Sequence, residues 1–115
     1  RPFPLAVLSL EDAAEIGAAV QVARISAETF VKQKAHHPEL TPEDYALAQE
    51  AVEKGEKLRQ DARNMAFALN QPGGVVVIVK ATQIGDELYV TSLRRLSGKD
   101  AKRDEEVERL RRAKK

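Results

Sequence analysis

The chain holds two histidines, and they stand side by side at His36 and His37, with Pro38 directly after them. An unperturbed imidazole titrates near ~6.5, the range that suits proton transfer at neutral pH, so these are the first residues to consider for general acid/base chemistry. Thr29, Lys32 and His36 share one polar helix face at i, i+3 and i+7. His37 lies seven residues past Phe30, nearer the apolar side, and Pro38 pushes it out of the α region. A histidine released there can project into a cleft; the plainer alternative makes His36 a solvated surface residue and His37 a packing or capping residue. Metal binding by the pair is disfavoured. Adjacent helix residues diverge by about 100°, the spacing supplies no third ligand, and no metal or other cofactor is assigned.

A second set of candidates follows the run Val75-Val76-Val77-Ile78-Val79. Lys80 emerges from that run and could hold a phosphate or a developing anion, or it could simply extend its ammonium into solvent at a sheet edge. The segment Tyr89-Val90-Thr91-Ser92-Leu93-Arg94-Arg95 adds hydroxyls and guanidiniums. Which of them meets Lys80 depends on hairpin register. One parity puts Lys80 beside Tyr89 or Thr91; the other puts it beside Val90, with Ser92 opposite Ile78. Arg94 and Arg95 could bind phosphate or end an exposed strand.

These residues need elements to hold them. The reading is one small α+β domain over residues 1–98, with helices in front of a four-stranded antiparallel β-meander, and a charged tail over 99–115. Pro2 and Pro4 make the first nine residues an extended lead-in. Ser9 caps a short helix, with Gly17 as its stop. Residues 20–25 are a short strand or the lead into the next helix. Ser26 caps that helix, with Ala27, Phe30, Val31 and Ala35 as an apolar stripe. Thr41, Pro42 and two acids begin the next, with Leu40 and Tyr45 placed for a hydrophobic staple, and Gly55 ends it. Strands are expected at 57–61, 64–70, 75–79 and 87–96, with 75–79 central because it is β-branched throughout. The tail has only Ala101, Val107, Leu110 and Ala113 as apolar residues and reads as a frayed helix or as disordered.

With 115 residues there is room for one core, and 4% aromatic content means Ala, Val, Leu and Ile must build it. There is no cysteine, which excludes disulfides, thiol nucleophiles and zinc sites with Cys ligands. The net charge of +1 conceals a tail with eight basic against five acidic residues from Lys99 on, and a body that is slightly acidic. The body is therefore no general polyanion binder, and nucleic-acid affinity would have to come from a local patch or the tail. No apolar run approaches the ~20 residues of a membrane span. Arg1 rather than Met at the start is read as a piece of a longer polypeptide. No glycine-rich phosphate loop, Gly-x-Ser-x-Gly or His-Glu-x-x-His occurs. What remains is acid/base chemistry with cationic stabilisation, as metal-free RNA cleavage requires; a non-catalytic interaction domain is the alternative, and nucleotide transfer ranks last because no dinucleotide signature is present.

Ile25-Ser26-Ala27-Glu28-Thr29-Phe30-Val31-Lys32, His37-Pro38-Glu39-Leu40-Thr41-Pro42-Glu43-Asp44-Tyr45, Lys54-Gly55-Glu56, Val79-Lys80-Ala81-Thr82 and Asp86-Glu87-Leu88-Tyr89-Val90-Thr91-Ser92-Leu93-Arg94-Arg95 occur in this order. Over residues 25–96 the sequence resembles nuclease domains of the barnase/EndoU/colicin/RelE-like (BECR) superfamily. The nearest likeness is to the phage-associated branch at the C-termini of Mu F-like minor head proteins and in polymorphic toxins. The resemblance implies helices followed by a four-stranded antiparallel sheet. It also implies endonucleolytic cleavage of RNA, often tRNA, to a 2′,3′-cyclic phosphate. Carried over by residue, it makes Lys32, His37, Lys80 and Ser92 the catalytic candidates; Thr82, Tyr89, Thr91, Arg94 and His36 are taken beside them as candidates for binding the substrate. An immunity protein is the implied partner and no membrane is. The implied place of action is the cytoplasm of a target bacterium after delivery, or a virion.

Overall fold

The computed structural model describes residues 3–113. In chain order these form β1 (Phe3–Val7), α1 (Leu10–Glu15), β2 (Val22–Ile25), α2 (Ala27–His36), α3 (Pro42–Lys54), β3 (Glu56–Arg59), β4 (Asn64–Ala68), β5 (Val75–Ala81), β6 (Leu88–Arg95) and α4 (Asp100–Ala113). The fold is α+β, and all six strands join one mixed sheet in the order β1-β2-β6-β5-β4-β3. β3 to β6 pair antiparallel in succession, β1 pairs antiparallel with β2, and β2 runs parallel to β6.

The sheet is thus larger than the four antiparallel strands expected from the sequence. The extra strands come from the lead-in and from 20–25. Proline hid β1, yet Pro4 is accommodated on an edge strand, where a missing N–H breaks no ladder, and the β1–β2 register shifts between Pro4 and Ala6. Arg1 and Pro2 lie outside the described residues.

β5 has neighbours on both sides; the face of Val75, Val77, Val79 and Ala81 is buried throughout, and the other runs from buried Val76 through half-buried Ile78 to exposed Lys80. Val75, Val77, Val79 and Ala81 face the larger core with Met65, Phe67, Leu88, Val90 and Leu93, under Ala48, Ala51 and Val52 of α3 and Ala13 of α1. Each fully buried Val or Leu there stabilises the fold by about 1.5–3 kcal/mol. Val76 faces the opposite side, with Leu58, Ala66, Ala68, Leu96 and Val107.

That second core accounts for the tail. Val107 is fully buried and Leu110 packs beside Ile78's cluster, so residues 100–113 form a docked helix instead of a frayed segment. Arg103 is buried too. Its guanidinium donates to Asn70 Oδ1 at 3.0 Å, Ser97 O at 3.1 Å and Asp100 Oδ1 at 2.6 Å, which ties the β6–α4 connection to the β4–β5 turn.

The helix starts follow their caps. Ser9, Ser26 and Thr41 each accept from the backbone N–H three residues on, and Thr41 with Asp44 forms a reciprocal capping box. The expected apolar stripe of α2 is different in the structure. Only Phe30 packs inward, stacked edge-on against Phe3 at 5.7 Å and tilted on Tyr45 at 5.3 Å. Val31 is 65% exposed, Ala27 and Ala35 are exposed, and the buried residue of α2 is Gln33.

Candidate functional site

β2 ends at Ile25, and past Tyr89 β6 would lose its neighbour on that side. α2 occupies the vacated place. Gln33 Nε2 donates to Leu93 O at 2.8 Å and Gln33 Oε1 accepts from Leu93 N at 2.8 Å, so one buried amide supplies both bonds that a strand would have made. This docking sets the rest of the helix: Thr29, Lys32 and His36, on the neighbouring polar face, are held against Thr91 of β6.

A concavity of about 330 Å³ results, lined by Thr29, Lys32, Gln33, His36, His37 and Thr91. Both histidines therefore line one hollow, although their helical phase suggested that they diverge. His37 is the C-cap of α2, with φ −132° and ψ 67°, outside the helical region, and it lines the same hollow as His36. His37 Nδ1 lies 3.3 Å from Glu39 Oε2, and Nε2 has no partner among the described residues.

Lys80 lines a second, adjoining concavity of about 440 Å³, with Ser26, Thr29, Ala81, Thr82, Tyr89 and Thr91. Thr29 and Thr91 are common to both hollows and form the saddle between them. The structure thus brings Lys32, His36 and His37 together and sets Lys80 in the neighbouring hollow.

Both register alternatives for the hairpin occur, one in each half. Near the turn Lys80 pairs with Tyr89; further along Ile78 pairs with Ser92. The register shifts between Ile78 and Val79, opposite Thr91, which is the extra residue of a bulge. The bulge makes Thr91 exposed and lets its Oγ1 reach Ile78 O at 3.4 Å.

Alternation then builds a polar row across the second face. Asn64 pairs with Lys80, Lys80 with Tyr89, and Tyr89 with Arg24 of β2. The flanking Met65, Val79, Ala81, Leu88, Val90, Ala23 and Ile25 all belong to the core of the first face. Arg24, Lys32 and Lys80 make no ion pair among the described residues.

The other candidates are placed elsewhere or already engaged. Ser92 lies on the second face opposite Ile78 and lines neither hollow. Arg94 Nη1 is 3.5 Å from Glu106 Oε2 on α4. Thr82 donates to Asp86 Oδ1 at 2.6 Å and accepts from Glu87 N at 3.1 Å, closing the β5–β6 turn. Tyr89 donates to Glu87 Oε2 at 2.8 Å, and that bond, with burial and the nearby carboxylate charge, raises its phenol above the usual value. Arg95 binds Asp44 through Nε at 2.9 Å and Nη2 at 2.8 Å. Burial alone would raise the Asp44 carboxyl, but the bonds from Arg95 and Thr41 outweigh it and hold it below the ordinary carboxylate value.

Sequence reasoning passed over Gln33, Glu39, Asn64 and Arg24. For Gln33 a signal was available: it sits three residues after Phe30, on the inward face, where a polar residue implies a buried partner. Among the described residues no three His, Asp or Glu side chains cluster so that they could hold a metal ion, and no helix is long and apolar enough to cross a membrane. Compared with family models, with curated proteins and with solved structures, the chain gives no match.

Proposed function

We propose that this chain is a metal-independent RNA endonuclease of the BECR type, cleaving by attack of a ribose 2′-OH on the adjacent phosphorus. In this reading β3 to β6 are the family-type sheet, and β1, β2 and α4 are additions to it. The observation that carries the proposal is the single hollow lined by His36, His37 and Lys32: two proton-transfer groups and a cation at one place are the minimum set for the reaction. His37, with Glu39 beside its Nδ1, takes the 2′-OH proton. The 2′-oxygen bonds to phosphorus while the bond to the 5′-oxygen breaks, and His36 protonates that leaving oxygen. The products are a 2′,3′-cyclic phosphate and a 5′-hydroxyl. Lys32 stabilises the extra negative charge of the pentavalent phosphate, and Lys80 holds a neighbouring phosphate. In this reading Ser92, opposite Ile78 on the second face, takes no part in the chemistry.

The resemblance further suggests tRNA as substrate, an immunity protein as partner, and action in a target bacterium. The test is incubation with total tRNA in EDTA. Cleavage should persist with chelator, leave a cyclic-phosphate end, and fall by about 10²–10⁴-fold in His37→Ala, the usual contribution of a positioned acid or base. Cleavage abolished by EDTA, or unchanged in His37→Ala, would sink the mechanism.

A second reading is a non-catalytic interaction domain. It is favoured by the openness of the histidines: His36 is exposed and the His37 side chain is 41% exposed. It predicts that expression of wild type and His37→Ala affects host-cell growth equally.

A further inference from the structure

The hollow beside Lys80 has its own chemistry. Four of its five hydroxyls spend their protons inside the protein: Ser26 donates to Thr29 Oγ1 at 2.9 Å, Thr82 to Asp86 at 2.6 Å, Tyr89 to Glu87 at 2.8 Å and Thr91 to Ile78 O at 3.4 Å. The surface that lines the hollow is mostly apolar, with the Tyr89 ring among it. Thr29 Oγ1 accepts from Ser26, so its own proton is free to be donated. The Lys80 ammonium makes no ion pair among the described residues. The hollow therefore offers apolar walls, one aromatic ring, one neutral donor and one cation, in about 440 Å³, a volume within the roughly 300–1,000 Å³ of small-ligand sites.

That combination selects among ligands. A sugar needs many uncommitted polar partners, and too few are present. A bare phosphate would leave the apolar walls and the ring unused. A planar heterocycle with acceptor atoms, joined to a phosphate, uses every feature. We infer that this hollow is a nucleobase subsite that takes one unstacked base of single-stranded RNA against the Tyr89 ring, with Thr29 donating to a base acceptor and Lys80 on the adjoining phosphate. The Thr29–Thr91 saddle then passes the chain to the histidine hollow, one nucleotide along. Loops and other single-stranded segments are favoured over duplex, because only there can a base be splayed out. The inference rests on the ribonuclease reading only for where the scissile phosphate lies.

The probe is a 2′-O-methyl hexaribonucleotide, which has no free 2′-OH and is not cut by the proposed reaction, against the same oligomer with one abasic position. The protein has two tyrosines and no tryptophan, so stacking on Tyr89 is read as the part of the tyrosine-emission quenching that Tyr89→Phe abolishes, and the Kd of every variant is read from the anisotropy of an end-labelled oligomer. The expected results are quenching by the intact oligomer, weaker binding of the abasic one, and a Kd raised by about 5–150-fold in Tyr89→Ala, the range for one base–aromatic stack. Tyr89→Phe should bind within about twofold of wild type, and Lys80→Gln should lower the slope of log K against log salt by about 0.7, one phosphate contact. Absent binding of the intact oligomer overturns the subsite. So does a Tyr89→Ala protein, folded by circular dichroism, with an unchanged Kd. If Tyr89-dependent binding is found but no RNA is cut, the subsite stands and the nuclease reading falls. If RNA is cut while Tyr89→Ala alters neither Kd nor KM, the nuclease reading stands and the subsite falls.

Discussion

Gln33→Leu isolates the bond pair that holds α2 to the sheet. Leucine has a similar volume and keeps the packing, but it offers nothing to Leu93 N–H and Leu93 C=O, each now bonded to Gln33 at 2.8 Å. Gln33 is only 7% exposed, so water does not replace the amide without moving the helix. A buried backbone group left without a partner costs about 1–3 kcal/mol. Two such groups, with some relief as α2 shifts, give about 3 kcal/mol, or roughly 150-fold faster exchange of the Leu93 amide if opening becomes easier by that amount. If the loss is global, Tm falls by roughly 10 °C. The companion variant Gln33→Glu supplies an acceptor for Leu93 N–H but sets a carboxylate against Leu93 C=O. Its folded-state pKa must then lie above the unfolded ~4.3. With a raised folded pKa, the stability of the protonated form is present below the unfolded pKa and is lost as pH rises through the folded one. Relative to wild type, Gln33→Glu should match it near pH 4 and lag at pH 7. Amide exchange by NMR and thermal melts at the two pH values are the assays. Unchanged Leu93 protection in the leucine variant, or no pH-dependent gap in the glutamate variant, refutes the strand-mimic account.

Two further stability tests concern residues away from the proposed chemistry. Asp44→Ala removes the capping-box acceptor of Thr41 N and a nearly buried partner of Arg95, and should lower stability by about 2 kcal/mol in urea denaturation. Because the Asp44 carboxyl is held low, its contribution is full above the unfolded value of ~3.9 and disappears as pH falls through the folded one; Asp44→Asn should therefore lose less stability than wild type between pH 4 and 2. Gly85 has φ +76°, and a Cβ there would meet Gly17 O at 2.1 Å, in the contact where Ala19 N donates to Gly85 O at 2.8 Å. Gly85→Ala should cost about 2–4 kcal/mol by strain and displacement of the 17–19 turn, seen as a lower Tm; an unchanged Tm would mean that this turn contact is dispensable.

How much of this was legible depends on which force governs each part. The caps at Ser9, Ser26 and Thr41 and the central β5 rest on local chemistry, a side chain three residues from its partner or a run of β-branched residues, and a sequence displays both. The contents of α2's buried face were not legible, since hydrophobic spacing assumes that the neighbour is apolar. Here the neighbour is the unpaired backbone of β6, and an amide suits it better than Val31 or Ala35. The docking of α4 was not legible for a related reason. Its apolar content is low because it covers only part of one sheet face, where Val107, Leu110 and the aliphatic stem of Arg103 suffice. β1 carried proline, the usual sign against a strand, and only its place at the edge of the sheet makes Pro4 acceptable.

The hairpin shows why the candidate site in particular resisted a reading by parity. A regular β5–β6 ladder would keep a single alternation from the turn to the strand end. Lys80 opposite Tyr89 and Ser92 opposite Ile78 are incompatible in such a ladder, and both are present because Thr91 is bulged. The same extra residue puts a hydroxyl on the saddle between the two hollows and bends β6 where β2 leaves it and α2 takes over. Without the bulge, Leu93 would change faces relative to Val90, and its buried side chain and its bonds to Gln33 could not both be kept. The bulge, the glutamine and the end of β2 are therefore one arrangement. Each compensates a break in sheet regularity introduced by another, and the surface they leave between them is where Lys32, His36 and His37 on α2 meet Thr91, next to Lys80.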